Sequence, residues 1–409
     1  MIHSILVLLV SFVSANADEQ CSAHLQCHSG LDFDHGPQGI EVKESIGRLS
    51  AEFTMLLYRH LLRARAAVWK RQHVPIWVAI PSASMTTSSQ TPDTNKRQKA
   101  IVVQQSSQLD PPTVTWIDRY LPENLRPYAQ LARVDKPIGT WLLLWPCCWS
   151  IALATTPGTL PDPGLLALFG VGSVCLRGAG CTINDLWDSD LDKQVARTAT
   201  RPLATGALTT NQAITFLGLQ LSTGLAVAVA LPHASFCVPL AAASLPLVAL
   251  YPLMKRYTHY PQFVLGLTFN WGALLGWAAV HGSLDLGAVL PLYASGVAWT
   301  MVYDTLYAHQ DKVDDAMIGI HSTALTFGND FTKPILHACA LSAYAGWLYV
   351  ASPCSLTYAG LTGAYSHLLW QIHTADLDDP QSVGERFRSN HTVGGIVFGS
   401  LMVGTLLSS

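Results

Sequence analysis

Charge is what this sequence has least of. Asp, Glu, Lys and Arg make up 12% of its 409 residues, where about 25% is usual in a globular protein, and the deficit argues for a membrane rather than for a pair of soluble domains. An excess of positive charge is also missing. The formal net charge is -3, and no basic run interleaved with aromatics occurs, which argues against a nucleic-acid binder. Metal-ligand spacing of cysteine is absent too. The adjacent pair Cys147 and Cys148 sits inside an apolar segment, and Cys21 and Cys27 stand alone, so the nine cysteines read as small buried apolar residues rather than as a zinc or redox set. What the chain has instead is 50% apolar residues. Its few charges crowd forward, with 12 of the 24 Lys and Arg and 11 of the 27 acids before residue 130.

Three regions follow from this unevenness. Residues 1–54 carry seven acids against two bases and open on "ILVLLVSFV" followed by "ANA", a secretory-signal-like run whose leading residues contain no Lys or Arg. Residues 55–104 have eight bases, one acid, many Ser and Thr and an amphipathic basic start, the composition of a mitochondrial transit peptide. The expectation is that Met55 is a working initiator and that 1–54 is an upstream extension; a tail of chance composition is the alternative. A linker over 105–127 leads to a polytopic domain over 128–409.

That domain is a series of apolar blocks, each near the ~20 residues a helix needs to cross hydrocarbon. Spans are expected near 139–156, 164–183, 211–231, 235–254, 262–281, 287–304, 334–351, 355–373 and 392–407, giving an all-α membrane protein of about nine helices. The basic residues supply an independent check. Of the 12 after residue 130, only Arg177 falls within a span, and the other 11 flank spans before the first and in the even-numbered loops. The odd loops "TTPGTLPDPG", "LPHA", "HGSLDLG" and "ASPCS" have none, so nine crossings obey the positive-inside rule without exception.

Two of the even loops hold the acids. In "NDLWDSDLD", Asp185, Asp188 and Asp192 share one helical face if the span continues; in "YDTLYAHQDKVDD", Asp304, Tyr307, Asp311 and Asp315 do the same. An aspartate at mid-membrane costs about 3 kcal/mol on insertion scales, so such faces make sense at the wet end of a span with cations nearby. All-oxygen donors suit Mg²⁺ shared with phosphate oxygens, and Lys193, Arg197, Arg201, Lys255 and Arg256 stand on the same side to grip diphosphate. A ligand with a diphosphate head and a long hydrocarbon tail fits both halves. A solvated acidic loop and a cation-coupled transporter are the competing readings; the transporter would place acids near mid-span on two inverted repeats.

"LARVDKPIGTWLLLWPC", "RGAGCTINDLWDSDLDKQVARTATRPLATG", "YPLMKR", "LGLTFNWGALLGW" and "YDTLYAHQDKVDDAMIGIHSTAL" resemble the UbiA family of membrane prenyltransferases, and within it the branch acting on 4-hydroxybenzoate in ubiquinone synthesis. The shared Asp patterns alone would also admit haem and other quinone-precursor prenyltransferases. The resemblance implies a helical bundle with a central cavity capped by two Asp-rich loops, and Mg²⁺-dependent transfer from polyprenyl diphosphate to the carbon ortho to the phenol of 4-hydroxybenzoate. It implies metal and diphosphate roles for Asp185, Asp188, Asp192, Asp304, Asp311 and Asp315, with Asn184 opening the first motif and Asp190 and Asp314 as extra acids. Arg197, Arg201, Lys255 and Tyr307 are expected at the diphosphate, Tyr307 either hydrogen-bonding it or facing the allyl cation.

The aromatic carboxylate needs a cation. Arg177, seven residues before Asn184 and two turns away on the same face, is the first candidate; Arg133 is the second, unless it pairs with Asp135. Asn270 either lines the cavity or makes an interhelical hydrogen bond. His309 is either a base for rearomatisation or a solvated group, and 375–387 reads as a solvated loop. Expected surroundings are the mitochondrial inner membrane with the site facing the matrix, and association with other enzymes of ubiquinone synthesis.

Overall fold

The computed structural model describes residues 116–193 and 198–408. The transit-peptide-like segment, the upstream extension, residues 105–115 of the linker and Arg197 lie outside the described residues. Within them all regular structure is helical: α1 (Trp116–Tyr120), α2 (Arg126–Leu131), α3 (Ile138–Ala154), α4 (Pro163–Asp192), α5 (Pro202–Thr205), α6 (Thr210–Ala230), α7 (Ala234–Ala242), α8 (Leu245–Tyr257), α9 (Pro261–Phe269), α10 (Gly272–His281), α11 (Leu286–Ala308), a 3-10 turn at His309–Asp311, α12 (Lys312–Ile318), α13 (Thr323–Val350), α14 (Ser355–Thr374), α15 (Pro380–Arg388) and α16 (Asn390–Leu407).

Local chemistry sets these boundaries. Thr209 and Gln212 form a reciprocal capping box at the start of α6, and Asp285, Ser322 and Asp379 cap α11, α13 and α15 through side-chain oxygens. The expected span at 235–254 is two helices, α7 and α8, and that at 262–281 is α9 and α10, broken at Asn270 and Trp271. The 375–387 segment is corrected as well: α15 makes a short amphipathic helix of it. Inside α13, Gly328 takes φ 64° and ψ -179°, a conformation open to Gly because it lacks Cβ, so α13 is two helical pieces that meet at a kink there.

Among the described residues, six helical runs are long and apolar enough to cross a membrane: 163–190, 210–230, 234–257, 261–281, 286–317 and 380–407. Helix α3 is apolar and shorter. The acids do not sit in loops. Helix α4 continues to Asp192, carrying the first cluster on its last turns, and the second cluster runs from the end of α11 through the 3-10 turn into α12.

Packing divides the bundle into a dense half and a hollow half. In the dense half α3, α11, α13, α14 and α16 enclose Trp149, Trp299 and Trp347, with ring centroids 5.0 Å apart for Trp149 and Trp299 and 5.8 Å for Trp149 and Trp347. Each of two indole N–H groups is satisfied, Trp149 donating to the Gly394 carbonyl and Trp299 to Asn390 Oδ1, both at 2.9 Å. The hollow half lies where α3 and α4 face α6 to α9.

Candidate active site

A cavity of about 1460 Å³ opens between these helices, with its charged end at the tips of α4, α8 and α11 and an apolar shaft below. Its wall gathers Arg133, Arg177, Asn184, Asp185, Arg201, Lys255, Asp304, Tyr307, Asp311 and Asp315, residues drawn from five parts of the chain. Asp185 is the centre of the charged end. Its side chain is 1% exposed and accepts from Arg133 Nη2 at 3.0 and 2.9 Å and from Arg201 Nη1 at 3.0 Å. Arg201 also donates to both oxygens of Asp192, at 2.9 and 2.8 Å. A buried carboxylate tolerates this depth only because guanidinium groups neutralise it and fill its lone pairs.

Arg133 therefore pairs with Asp185, not with the neighbouring Asp135. It does so from a left-handed backbone conformation, φ 57°, at the reversal between α2 and α3, where its Nη1 also donates to the Gln130 carbonyl at 2.7 Å. A non-glycine residue there is strained, and such strain persists where surrounding contacts hold it. Asp188 lies 3.6 Å from Arg256 Nη2. The residues lining the cavity include Asp185 but not Asp188 or Asp192, so the first acid of the motif is the one presented to the lumen.

On the opposite wall, Asp304, Asp311 and Asp315 face the cavity with Tyr307, whose ring lies on Phe387 at 4.4 Å between centroids. Lys255 reaches the wall from the last turn of α8, and its carbonyl accepts from His321 N–H at 2.9 Å. At this rim, outside the spans, burial and the His321 ring hold His259 below the ordinary imidazole range. Among the described residues, no three carboxylate, imidazole or thiol side chains converge to grip a metal ion directly. The donor chemistry is nonetheless that of a hard oxygen-liking cation which keeps waters and shares phosphate oxygens.

Arg177 projects into the shaft, its guanidinium carbon 5.7 Å from the centre of the Phe269 ring. Its buried Nε has no hydrogen-bond partner among the described residues. Of the two readings of Asn270 the interhelical one holds: it is absent from the cavity wall and sits at the α9–α10 break, where Nδ2 donates to the Gly266 carbonyl at 2.8 Å and to Thr300 Oγ1 of α11 at 2.9 Å. An interrupted helix leaves carbonyls to be satisfied, and Asn270 serves that need. His309 is neither a lumen base nor solvated; it is buried with Nε2 3.1 Å from Thr332 Oγ1. Conversely, Lys136, Tyr251 and Arg388 line the cavity without having been selected. Lys136 and Tyr251 lie within the quoted "RVDKPIG" and one turn before Lys255, signals that proximity to a chosen residue offered; Arg388 gave none.

The UbiA prenyltransferase family profile matches residues 143–404. The chain is 50% identical over 333 residues to "4-hydroxybenzoate polyprenyltransferase, mitochondrial" of Arabidopsis thaliana, covering 79% of this chain and 77% of that one. It is 51% identical over 288 residues to the protein so named in Homo sapiens, covering 70% and 77%. Its fold is similar to the apo structure of a UbiA homolog from Aeropyrum pernix K1, with TM-score 0.55 at 24% identity, covering 64% of this chain and 97% of that one. It is similar also to a UbiA homolog from Archaeoglobus fulgidus bound to GPP and Mg²⁺, with TM-score 0.52 at 16% identity, covering 69% and 100%. The fold, the two acidic helix tips over an apolar cavity and these matches define a membrane-embedded transferase of prenyl groups. The chain belongs to the UbiA prenyltransferase family.

Proposed function

We propose that the chain transfers a polyprenyl group from polyprenyl diphosphate to the carbon ortho to the hydroxyl of 4-hydroxybenzoate, releasing diphosphate, in ubiquinone synthesis. The observation that carries this reading is one continuous cavity in which carboxylates and bases line one end and apolar side chains the rest. A diphosphate head and a hydrocarbon tail need those two surroundings in that order. The relatives named for this reaction, at half identity over most of their length, support the choice of acceptor.

The difficult step is cleavage of the allylic C–O bond, whose electron pair leaves with diphosphate. Arg201 and Lys255 stabilise the charge that grows on the leaving oxygen, with Arg197 assigned to the same task. Asp185, Asp304, Asp311 and Asp315 at the lumen, with Asp188 and Asp192 behind the first, would hold Mg²⁺, which when bound supplies charge neutralisation to the diphosphate. Arg177 binds the aromatic carboxylate from within the shaft, with Asn184 lining the wall two turns along the same helix, and Arg133 bridges the acceptor and the acid cluster. Apolar walls exclude water until the ring carbon has captured the allyl cation. The ring carbon then gives its proton to the released diphosphate, and the ring recovers aromaticity. Tyr307, its ring tilted against Phe387 at the lumen, is assigned either to the diphosphate or to the allyl cation.

The setting proposed is the mitochondrial inner membrane, with the charged end facing the matrix, residues 55–104 as a transit peptide, 1–54 as an upstream extension and 128–409 as the catalytic domain. Association with other enzymes of ubiquinone synthesis fits an acceptor and product handled in one membrane. Membranes containing the chain, given a polyprenyl diphosphate, 4-hydroxybenzoate and Mg²⁺, should form prenylated 4-hydroxybenzoate, and EDTA should stop it. No product, or product indifferent to EDTA, overturns the reading.

A further inference from the structure

The apolar shaft has a definable bottom. Helix α4 lines the cavity from Asp185 down to Phe169, sixteen residues of unbroken helix and so about 24 Å at 1.5 Å per residue. Helix α3 runs the other way. A Cβ built on Gly139 would collide with the Arg177 guanidinium, which sets those two positions level. Eight residues further on each helix, about 12 Å deeper, stand Cys147 and Phe169. Both line the cavity, as do Leu231 and Leu275, and all four also belong to one packed apolar cluster that continues below them with Ile151 and Leu165. The shaft therefore ends on a surface of side chains packed from four segments.

We propose that Phe169, with Cys147, Leu231 and Leu275, forms a floor that sets how much of the donor's hydrocarbon chain the protein encloses. This rests on the prenyl-transfer reading above. Isoprene units above the floor exchange lipid for a fitted protein wall, whereas units beyond its reach stay outside the enclosed shaft and add nothing to recognition. Phe169 is thus a specificity residue for tail length, and at about 24 Å from Asp185 along the helix it has no part in bond cleavage.

The test uses the full chain in nanodiscs of fixed lipid content, Mg²⁺, 4-hydroxybenzoate and a series of allylic diphosphates lengthened one isoprene unit at a time. For the unaltered chain the donor KM should fall with each added unit, by about tenfold, and then level off. Phe169→Ala should move the levelling point later by about one unit, since it opens a cavity at the floor; Phe169→Trp should move it earlier. Leu165→Ala, in the same cluster but off the lumen, should lower stability and leave the levelling point in place. If Phe169→Ala does not fold, Leu231→Ala supplies the same readout. A levelling point common to the unaltered chain and the lumen variants, or a KM with no levelling, overturns the floor while leaving prenyl transfer standing. Absence of product with every donor overturns both.

Discussion

Two arginines carry opposite kinds of consequence. Arg201 bridges Asp185 and Asp192, whose side chains are 1% and 8% exposed. Removing a buried partner leaves its acids facing each other without a shared cation, which costs about 3–5 kcal/mol. Arg201→Ala should therefore lower the thermal unfolding temperature in detergent sharply, and should do so without substrate present. Lys193, by contrast, pairs with Asp190 where the two are 54% and 90% exposed, so Lys193→Ala should leave that temperature unchanged. Equal melting of the two variants would contradict the ion-pair argument. Among the described residues, Arg177 acts on Asp304 through its charge rather than through a hydrogen bond, and Gly139 leaves it room. Arg177→Ala should spare the fold and raise the KM for 4-hydroxybenzoate at least about tenfold, the loss expected of a charged hydrogen bond, with a smaller effect on the donor. A larger effect on the donor would move Arg177 to the diphosphate.

At the scale of elements, glycines decide where helices touch and where the lumen stays open. Gly272 and Gly276 on α10 face α3; a Cβ on Gly276 would lie 2.6 Å from the Cys147 carbonyl oxygen and 2.9 Å from Ser150 Cβ. The first obstacle is backbone, so the helices must part, in the way small residues govern close helix contacts in membranes. Gly180, on α4, lines the cavity and would meet nothing within 4 Å. Gly276→Val should lower thermal stability by about 1–3 kcal/mol, read from the shift in unfolding temperature. Gly180→Leu should keep stability and lose prenyl transfer, because the new side chain enters the shaft. The reverse pattern would show that the shaft is not the donor's path. These elements also mark how far sequence reading reaches. Apolar block length located the helices, and the i, i+3, i+7 spacing put Asp185, Asp188 and Asp192 on one side of α4. It could not tell that the bundle turns Asp185 to the lumen and leaves the other two behind it, because the turn is set by packing against α3, α6 and α8, which the spacing within α4 does not encode. Asn270 stayed open between two readings for the same reason: a polar residue in an apolar run looks alike whether it lines a cavity or bonds across a helix break.

For the whole molecule, the count of crossings separates two topologies. The nine-block reading and the positive-inside pattern place every even loop on one side, whereas six helical runs among the described residues combine length and apolarity sufficient to cross. Helices α3, α13 and α14 make the difference, α3 being apolar but shorter, and the side on which the α13–α14 turn lies depends on α13 and α14. Both bury residues in the tryptophan-rich half, including Leu336, Ala340, Trp347, Leu361 and Leu368, and a helix that buries its apolar face in protein can carry more polar residues elsewhere without losing its place. If both cross, the turn between them lies opposite the acidic end of α4; if neither does, the two lie on the same side. A native reporter stands at that turn, since Cys354 caps the start of α14. In mitoplasts, a membrane-impermeant maleimide should label Cys354 from outside and should label Lys193→Cys only after the membrane is opened, with Cys354→Ser removing the first signal. Protection of Cys354 alongside position 193 would mean that α13 does not cross. The nine-span reading would then fall, although the cavity built by α3, α4 and α6 to α11 would keep its walls.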